Sequence, residues 1–141
     1  MPIPGVVVKY KYLEHTADIK FQAFGKNLEE AFVNSAYAMM KVLFEGRVKG
    51  NKIKRIKIKG IDEKSLLYNF LEEILFLLNT EYFLLSEVSR AEIKNNELTA
   101  ELIGDDSRSY NLGLDIKAVT YNDMFIKREK SKFTIQVVID I

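Results

Sequence analysis

The strongest constraint in this sequence lies in residues 66–78, where Leu66, Leu67, Phe70, Leu71, Ile74, Leu75, Leu77 and Leu78 crowd together at three- and four-residue spacing. On a helix these side chains cover far more than one stripe. Such a helix is buried on more than one side or covers a whole sheet. The spacing predicts a helix at the centre of the core, with Asp62 capping its start.

The flanking segments read mainly as strands. Residues 6–12 are β-branched and aromatic. Ile19, Phe21, Ala23 and Gly25 alternate with Lys20, Gln22 and Phe24, a period of two. Glu14-His15-Thr16-Ala17 joins these two strands. Asn27 and Glu30 form a capping-box-like pair ahead of a second helix, whose stripe is Leu28, Ala31, Phe32, Ser35, Ala36, Met39 and Leu43, with Gly46 as its stop. That stripe reads as core and not as a ligand box.

Ile56 and Ile58 alternate with Arg55, Lys57 and Lys59, which predicts a half-buried strand. Its basic side reads as an edge protected by lysines or, alternatively, as a partner surface. Residues 88–94 and 97–103 flank Asn95-Asn96, a pair that tolerates the positive φ of a tight hairpin turn. The polar run 104–113 is expected to be an exposed loop. Strands are expected at 114–120, 124–127 and 132–141. In the last of these Phe133, Ile135, Val137, Ile139 and Ile141 share one face and Asp140 has the opposite parity. No linker or low-complexity segment interrupts the 141 residues, so the reading is one α+β domain over residues 1–141, with two main helices packed on antiparallel or mixed sheets. The order of elements suggests two similar strand–helix–strand halves.

Composition narrows the chemistry. There is no cysteine, which excludes disulfides, thiol catalysis and cysteine-ligated metals. A single histidine excludes two-histidine zinc motifs and leaves at most one imidazole base. The net charge of +1 gives no global attraction to nucleic acid, so RNA contact would come from a local patch or through a partner. The N-terminus lacks the basic and apolar regions of a signal peptide, and no apolar run is long enough to span a membrane. A cytoplasmic protein is expected. Neither a phosphate-binding glycine loop nor a Gly-x-Ser-x-Gly elbow is present.

Two features remain. Glu14, His15 and Asp18 place three ionisable groups in five residues between strands, and Asp140 stands beside the main-chain carboxylate of Ile141. If the last strand lies next to the strand that begins at Asp18, three carboxylates converge. That donor set is all oxygen and suits calcium or magnesium, not zinc. The plainer readings are a hydrogen-bonding His15, a turn-capping Asp18 and a solvated Asp140.

Several blocks resemble a known family. Tyr12-Leu13-Glu14-His15-Thr16-Ala17-Asp18-Ile19, followed by Ala23-Phe24-Gly25 and Leu28-Glu29-Glu30-Ala31-Phe32, resembles the N-terminal signature of the archeases. Residues 66–75 resemble that family's second helix, Ile116-Lys117-Ala118-Val119-Thr120-Tyr121 its late strand, and Val137-Val138-Ile139-Asp140-Ile141 its end. The blocks fall in order and span nearly the whole chain. There are departures: Asn122 and Tyr110 stand where members often carry histidine.

The resemblance implies a compact α+β domain built on a duplicated strand–helix–strand–strand module, and an accessory protein of the RtcB-type tRNA-splicing ligase, not an enzyme. It would promote guanylylation and multiple turnover and broaden the ligase's nucleotide use, and would meet tRNA only through the ligase. It also implies a divalent cation, calcium, on Asp18, Asp140 and the terminal carboxylate of Ile141, with Glu14 and His15 orienting the loop or touching the partner. The alternatives are a general chaperone of RNA- or DNA-processing proteins and a metal-dependent hydrolase on the same carboxylates.

Overall fold

The computed structural model describes residues 7–14 and 17–141. Val6, His15 and Thr16, all part of the expectations above, lie outside the described residues. The order is β1 (Tyr10–Leu13), β2 (Ile19–Gly25), α1 (Leu28–Leu43), β3 (Lys52–Lys59), α2 (Glu63–Glu81), β4 (Phe83–Lys94), β5 (Glu97–Asp106), a 3-10 turn at Ser107–Ser109, β6 (Ala118–Glu129) and β7 (Lys132–Asp140). The strands form two antiparallel sheets, β1-β2-β7-β6 and β3-β5-β4. Two helices on antiparallel sheets make an α+β fold, as expected.

The helices form the layer that unites the sheets. α1 packs on β2 and β7 of the first sheet and on β4 of the second, and α2 packs on β6 of the first and on β3 and β4 of the second. All eight apolar residues of α2 singled out above are buried, and Phe70 stacks on Phe32 of α1 with ring centroids 6.1 Å apart. A helix touching both sheets has little solvent face to spare, which is why its apolar surface is so wide.

Both helices are capped at the expected residues. Asn27 accepts from the Glu30 amide at 2.8 Å, but the Glu30 carboxylate reaches the Lys26 amide and not that of Asn27. Asp62 accepts from the Ser65 amide at 2.8 Å, and the Ser65 hydroxyl returns to the Asp62 amide, a full capping box. α1 ends before Gly46. Phe44 is already extended, with φ −156° and ψ 119°, while its amide still bonds Met40. β3 is an edge strand whose cations face carboxylates on neighbouring elements, as a lysine-protected edge would.

Three expectations are corrected. The hairpin turn sits at Asn95-Asn96, with φ of 53° and 57°, but β4 begins at Phe83 and β5 runs to Asp106, so the hairpin is longer than expected. The polar run 104–113 is therefore not wholly an exposed loop. Gly104 is buried and paired with Leu85, and a Cβ on it would lie 2.2 Å from the Leu84 carbonyl oxygen, so glycine is what allows the strand to continue. The strands expected at 114–120 and 124–127 are one strand, β6, beginning only at Ala118. Between Thr120–Val138 and Phe125–Gln136, β6 advances five residues while β7 retreats two, which leaves three residues in a wide bulge with Asp123 at φ 53°.

Candidate functional site at the paired ends of β2 and β7

The last strand does lie beside the strand that follows Asp18. β2 and β7 pair in strict antiparallel register from Gly25–Phe133 to Ile19–Ile139. Asp18 and Asp140 are each the next residue beyond that final pair, so the two aspartates stand at the same end of adjacent strands. Both are half-buried. The Asp140 carbonyl accepts from the Lys117 amide at 2.8 Å, which ties the end of β7 to the segment entering β6. Ile141 is half-buried and packs against the core.

Parity gives the direction. Ile19, Phe21, Val137 and Ile139 belong to the core cluster, so the alternate residues Lys20, Gln22, Gln136 and Val138 point to the other face of the sheet. That face has its own polar network, which the sequence reading missed. Lys20 Nζ lies 3.1 Å from an Asp123 carboxylate oxygen. Gln22 donates to the Gln136 side chain at 3.0 Å, and Gln136 donates to the Asp123 carbonyl at 2.8 Å. Lys20 stands opposite Val138 and reaches a residue of β6 on the far side of β7. Its stem thus crosses Val138, which is 0% exposed although it faces away from the helices. The β6 bulge is what brings Asp123 over the sheet. Alternation in β2 was signal enough to find Lys20, whereas Asp123 could not be found without the register of β6 on β7.

On the side of α1, Glu14 and Asp18 line a cleft of about 1070 Å³ together with Tyr12, Lys41, Phe44 and Asn111. Asp140 and Ile141 do not line it. Tyr12 donates to the Ala38 carbonyl at 2.8 Å, and its phenol is pushed up to about 12, chiefly by burial and then by Tyr10 and Glu45. It remains a neutral hydrogen-bond donor at neutral pH. His15 lies outside the described residues. Among the described residues no group of three or more His, Asp or Glu side chains gathers to hold a metal. What the register offers is a pair of carboxylates at one strand end, an oxygen-only donor set that fits a hard cation if further oxygens join it.

The second polar cluster is structural. The Tyr110 hydroxyl donates to Asp105 at 2.6 Å and accepts from the Lys49 amide at 3.0 Å. Asp106 takes a two-pronged bond from Arg108, 3.0 Å from Nε and 2.7 Å from Nη2, while the guanidinium lies 4.2 Å from the centroid of the Tyr82 ring. Arg108 thereby holds the Asp106 carboxyl well below the usual carboxylate range, and the Tyr110 hydroxyl lowers Asp105 in the same direction. A carboxyl whose folded pKa is depressed stabilises the fold fully above its unfolded value near ~3.9, and that contribution is lost as pH falls through the folded value. Asp106→Asn should therefore lower Tm at neutral pH, and the gap to the unaltered protein should close as the solution is acidified below about pH 4. Thermal melts across pH check this; a gap that stays constant with pH would remove Asp106 as its source.

Comparison with known proteins settles the family. Residues 10–141 match the model of the Archease protein family (MTH1598/TM1083), a span that includes every strand and both helices. The chain belongs to the archease family. The archease of Methanosarcina barkeri is 39% identical over 140 residues, covering 94% of this chain and 96% of that protein. An archease-like protein of Drosophila melanogaster is 34% identical, covering 95% and 91%. The solution structure of Methanobacterium thermoautotrophicum protein 1598 superposes with a TM-score of 0.80 at 32% identity, covering 94% of this chain and 99% of that one. A Thermotoga maritima protein described as an archease and possible chaperone shares the fold at a TM-score of 0.61 and 18% identity, covering 93% and 96%.

Within the archease frame the two departures from the pattern are legible. Tyr110 fastens the segment after β5 through Asp105 and Lys49, and Asn122 lies exposed in the β6 bulge, its amide directed at the Thr120 hydroxyl at 3.3 Å. No helix among the described residues is long and apolar enough to cross a membrane.

Proposed function

We propose that this archease is a cytoplasmic accessory protein, not an enzyme, that activates an RtcB-type RNA ligase by promoting its guanylylation and multiple turnover and broadening its nucleotide use. The observation that carries the reading is the placement of Asp18 and Asp140 at the same end of neighbouring strands, within a chain whose family match spans both. Asp18, Asp140 and the main-chain carboxylate of Ile141 would hold a divalent cation, a hard ion such as calcium or magnesium by the all-oxygen character of the donors, and calcium by the family resemblance. When bound, such an ion supplies positive charge and open coordination positions for phosphate oxygens. Two aspartates and one carboxylate terminus leave a calcium shell short of its usual six to eight oxygens. A partner's groups or its nucleotide can complete it, which suits a site working at an interface. Glu14, exposed at the rim of the adjoining cleft, and His15 would orient the loop or touch the ligase. The tRNA would be met through the ligase.

A chaperone reading has one observation in its favour, the description of the Thermotoga protein as a possible chaperone. The deciding experiment is multiple-turnover RNA ligation with GTP, with and without this protein at a substoichiometric ratio. The activator reading expects many ligations per ligase only when the protein is present. Unchanged turnover with both proteins folded and calcium or magnesium supplied, together with protection of unrelated nucleic-acid enzymes from aggregation, would favour the chaperone.

A further inference from the structure

Cations without an ion pair occur on several elements among the described residues, Lys64 on α2 and Arg90 and Lys94 on β4 included, but one group gathers on the four-stranded sheet. On β3 every basic residue has a carboxylate: Lys52 faces Asp106, Lys54 Glu81, Arg55 Glu101, and both Lys57 and Lys59 reach Glu97. The charge of that strand is largely offset by carboxylates on α2 and β5. Lys11, Lys26, Lys127, Lys130 and Lys132 are exposed and make no ion pair among the described residues.

These unpaired lysines converge on one place. Lys127 stands opposite Thr134, and Thr134 opposite Phe24, so the three form a row across β6, β7 and β2 on the sheet face turned away from the helices. The next row is Lys11, Gln22, Gln136 and Phe125. Lys132 Nζ lies 4.4 Å from the centroid of the Phe24 ring and Lys11 Nζ 5.9 Å from it. Two ammonium groups over one ring, with Lys127 in the same row, repel one another, and a cation–π contact at an exposed site returns only about 0.5–1 kcal/mol. An arriving anion relieves that repulsion. Half-buried aromatic rings flanked by cations without an ion pair on an antiparallel sheet are the parts with which proteins hold single-stranded nucleic acid, the rings stacking on bases and the cations tracking phosphates.

We infer that the face centred on Phe24, Phe125, Lys11, Lys127 and Lys132 binds a strand of RNA. The inference rests on the ligase-accessory reading for which RNA this is, namely the substrate whose ends are joined. Asp18 and Asp140 lie six residues along β2 and β7 from Phe24 and Thr134, about 20 Å at the rise of a strand. By parity Asp140 lies on this same face, at the end of β7 away from the lysines, while Asp18 lines the cleft on the side of α1.

The test is fluorescence anisotropy of a labelled single-stranded RNA of about 16 nucleotides with the protein alone, titrated over a range of salt. The expected result is binding that weakens with salt. Lys11→Glu/Lys132→Glu should lose at least about tenfold in affinity and lower the log–log salt slope by roughly 1.4, two phosphate contacts at ~0.7 each. Phe24→Leu should lose at least about fivefold, and Lys64→Glu/Lys94→Glu, the same charge change elsewhere, less than about twofold. No salt-dependent binding by the unaltered protein, or equal losses in both double variants, would overturn the inference. So would unchanged RNA binding in Lys11→Glu/Lys132→Glu with lost co-elution of the ligase, which assigns the face to an acidic protein surface. Asp18→Ala should bind RNA like the unaltered protein, so failure in the ligation assay and failure here are separate results.

Discussion

Asp18→Ala is expected to reduce ligase turnover to the level of the ligase alone while leaving the fold unchanged. Asp18 stands just outside β2, beyond the last pair of its register with β7. Its carboxylate can be removed without interrupting a ladder bond of the β2–β7 pair or opening a space in the core. Losing one of so few anionic ligands should weaken cation binding by on the order of a hundredfold, at least as much as losing the partner of a ligand does. Multiple-turnover ligation should show the loss, circular dichroism should report the same secondary structure, and raising calcium should restore part of the activity. Glu92→Ala, on an exposed position of β4, is the control and should keep full stimulation. A folded Asp18→Ala protein that stimulates normally would detach the β2–β7 end from function and leave the family membership untouched.

The second large effect is on stability. Phe70→Ala should cost about 3–5 kcal/mol. Phe70 is 0% exposed and stacks on Phe32 in the helix layer that holds both sheets. Set against a typical total of about 5–15 kcal/mol, such a loss brings the protein near its threshold. Phe76, on the same helix but 54% exposed, should change stability by less than about 0.5 kcal/mol when replaced by alanine. Urea midpoints with unchanged slopes would measure both. Equal effects at the two positions would mean that the helix layer is not the common core.

The contrast between Phe70 and Phe76 also shows what local pattern can convey. The apolar face of α2, the caps at Asn27 and Asp62, the alternation in β2 and the Asn95-Asn96 turn are all set by neighbours within a few residues, and each was legible. So was the opposite parity of Asp140, because alternation follows from the pleat alone. The single bulged β6 was not legible, since its continuity depends on β7, and a three-residue bulge reads in isolation as a gap between two strands. The depth of β5 was hidden for a similar reason. Asp105, Asp106 and Ser107 look like loop residues until partners distant in sequence, Asn51, Lys52 and Tyr82, take up their polar groups. For the candidate site, the position of the carboxylates followed from one assumption about strand adjacency. The Lys20–Asp123 bridge followed from none, because it needs both the adjacency of β2 to β7 and the bulge of β6 on β7.

The pairing of β2 with β7 has a kinetic consequence. The hairpin of β4 and β5 closes through a two-residue turn, an event of about 1–10 μs, whereas Ile19 meets Ile139 across most of the chain. Loop-closure entropy delays such distant contacts until nearer ones have formed. The second sheet should therefore assemble early and the first late, with the β2–β7 seam among its last joins. Any partly folded form would carry stable secondary structure but not the juxtaposed aspartates. Competence at that strand end would then report completion of folding, and a destabilised variant would fall silent there before its helices melt.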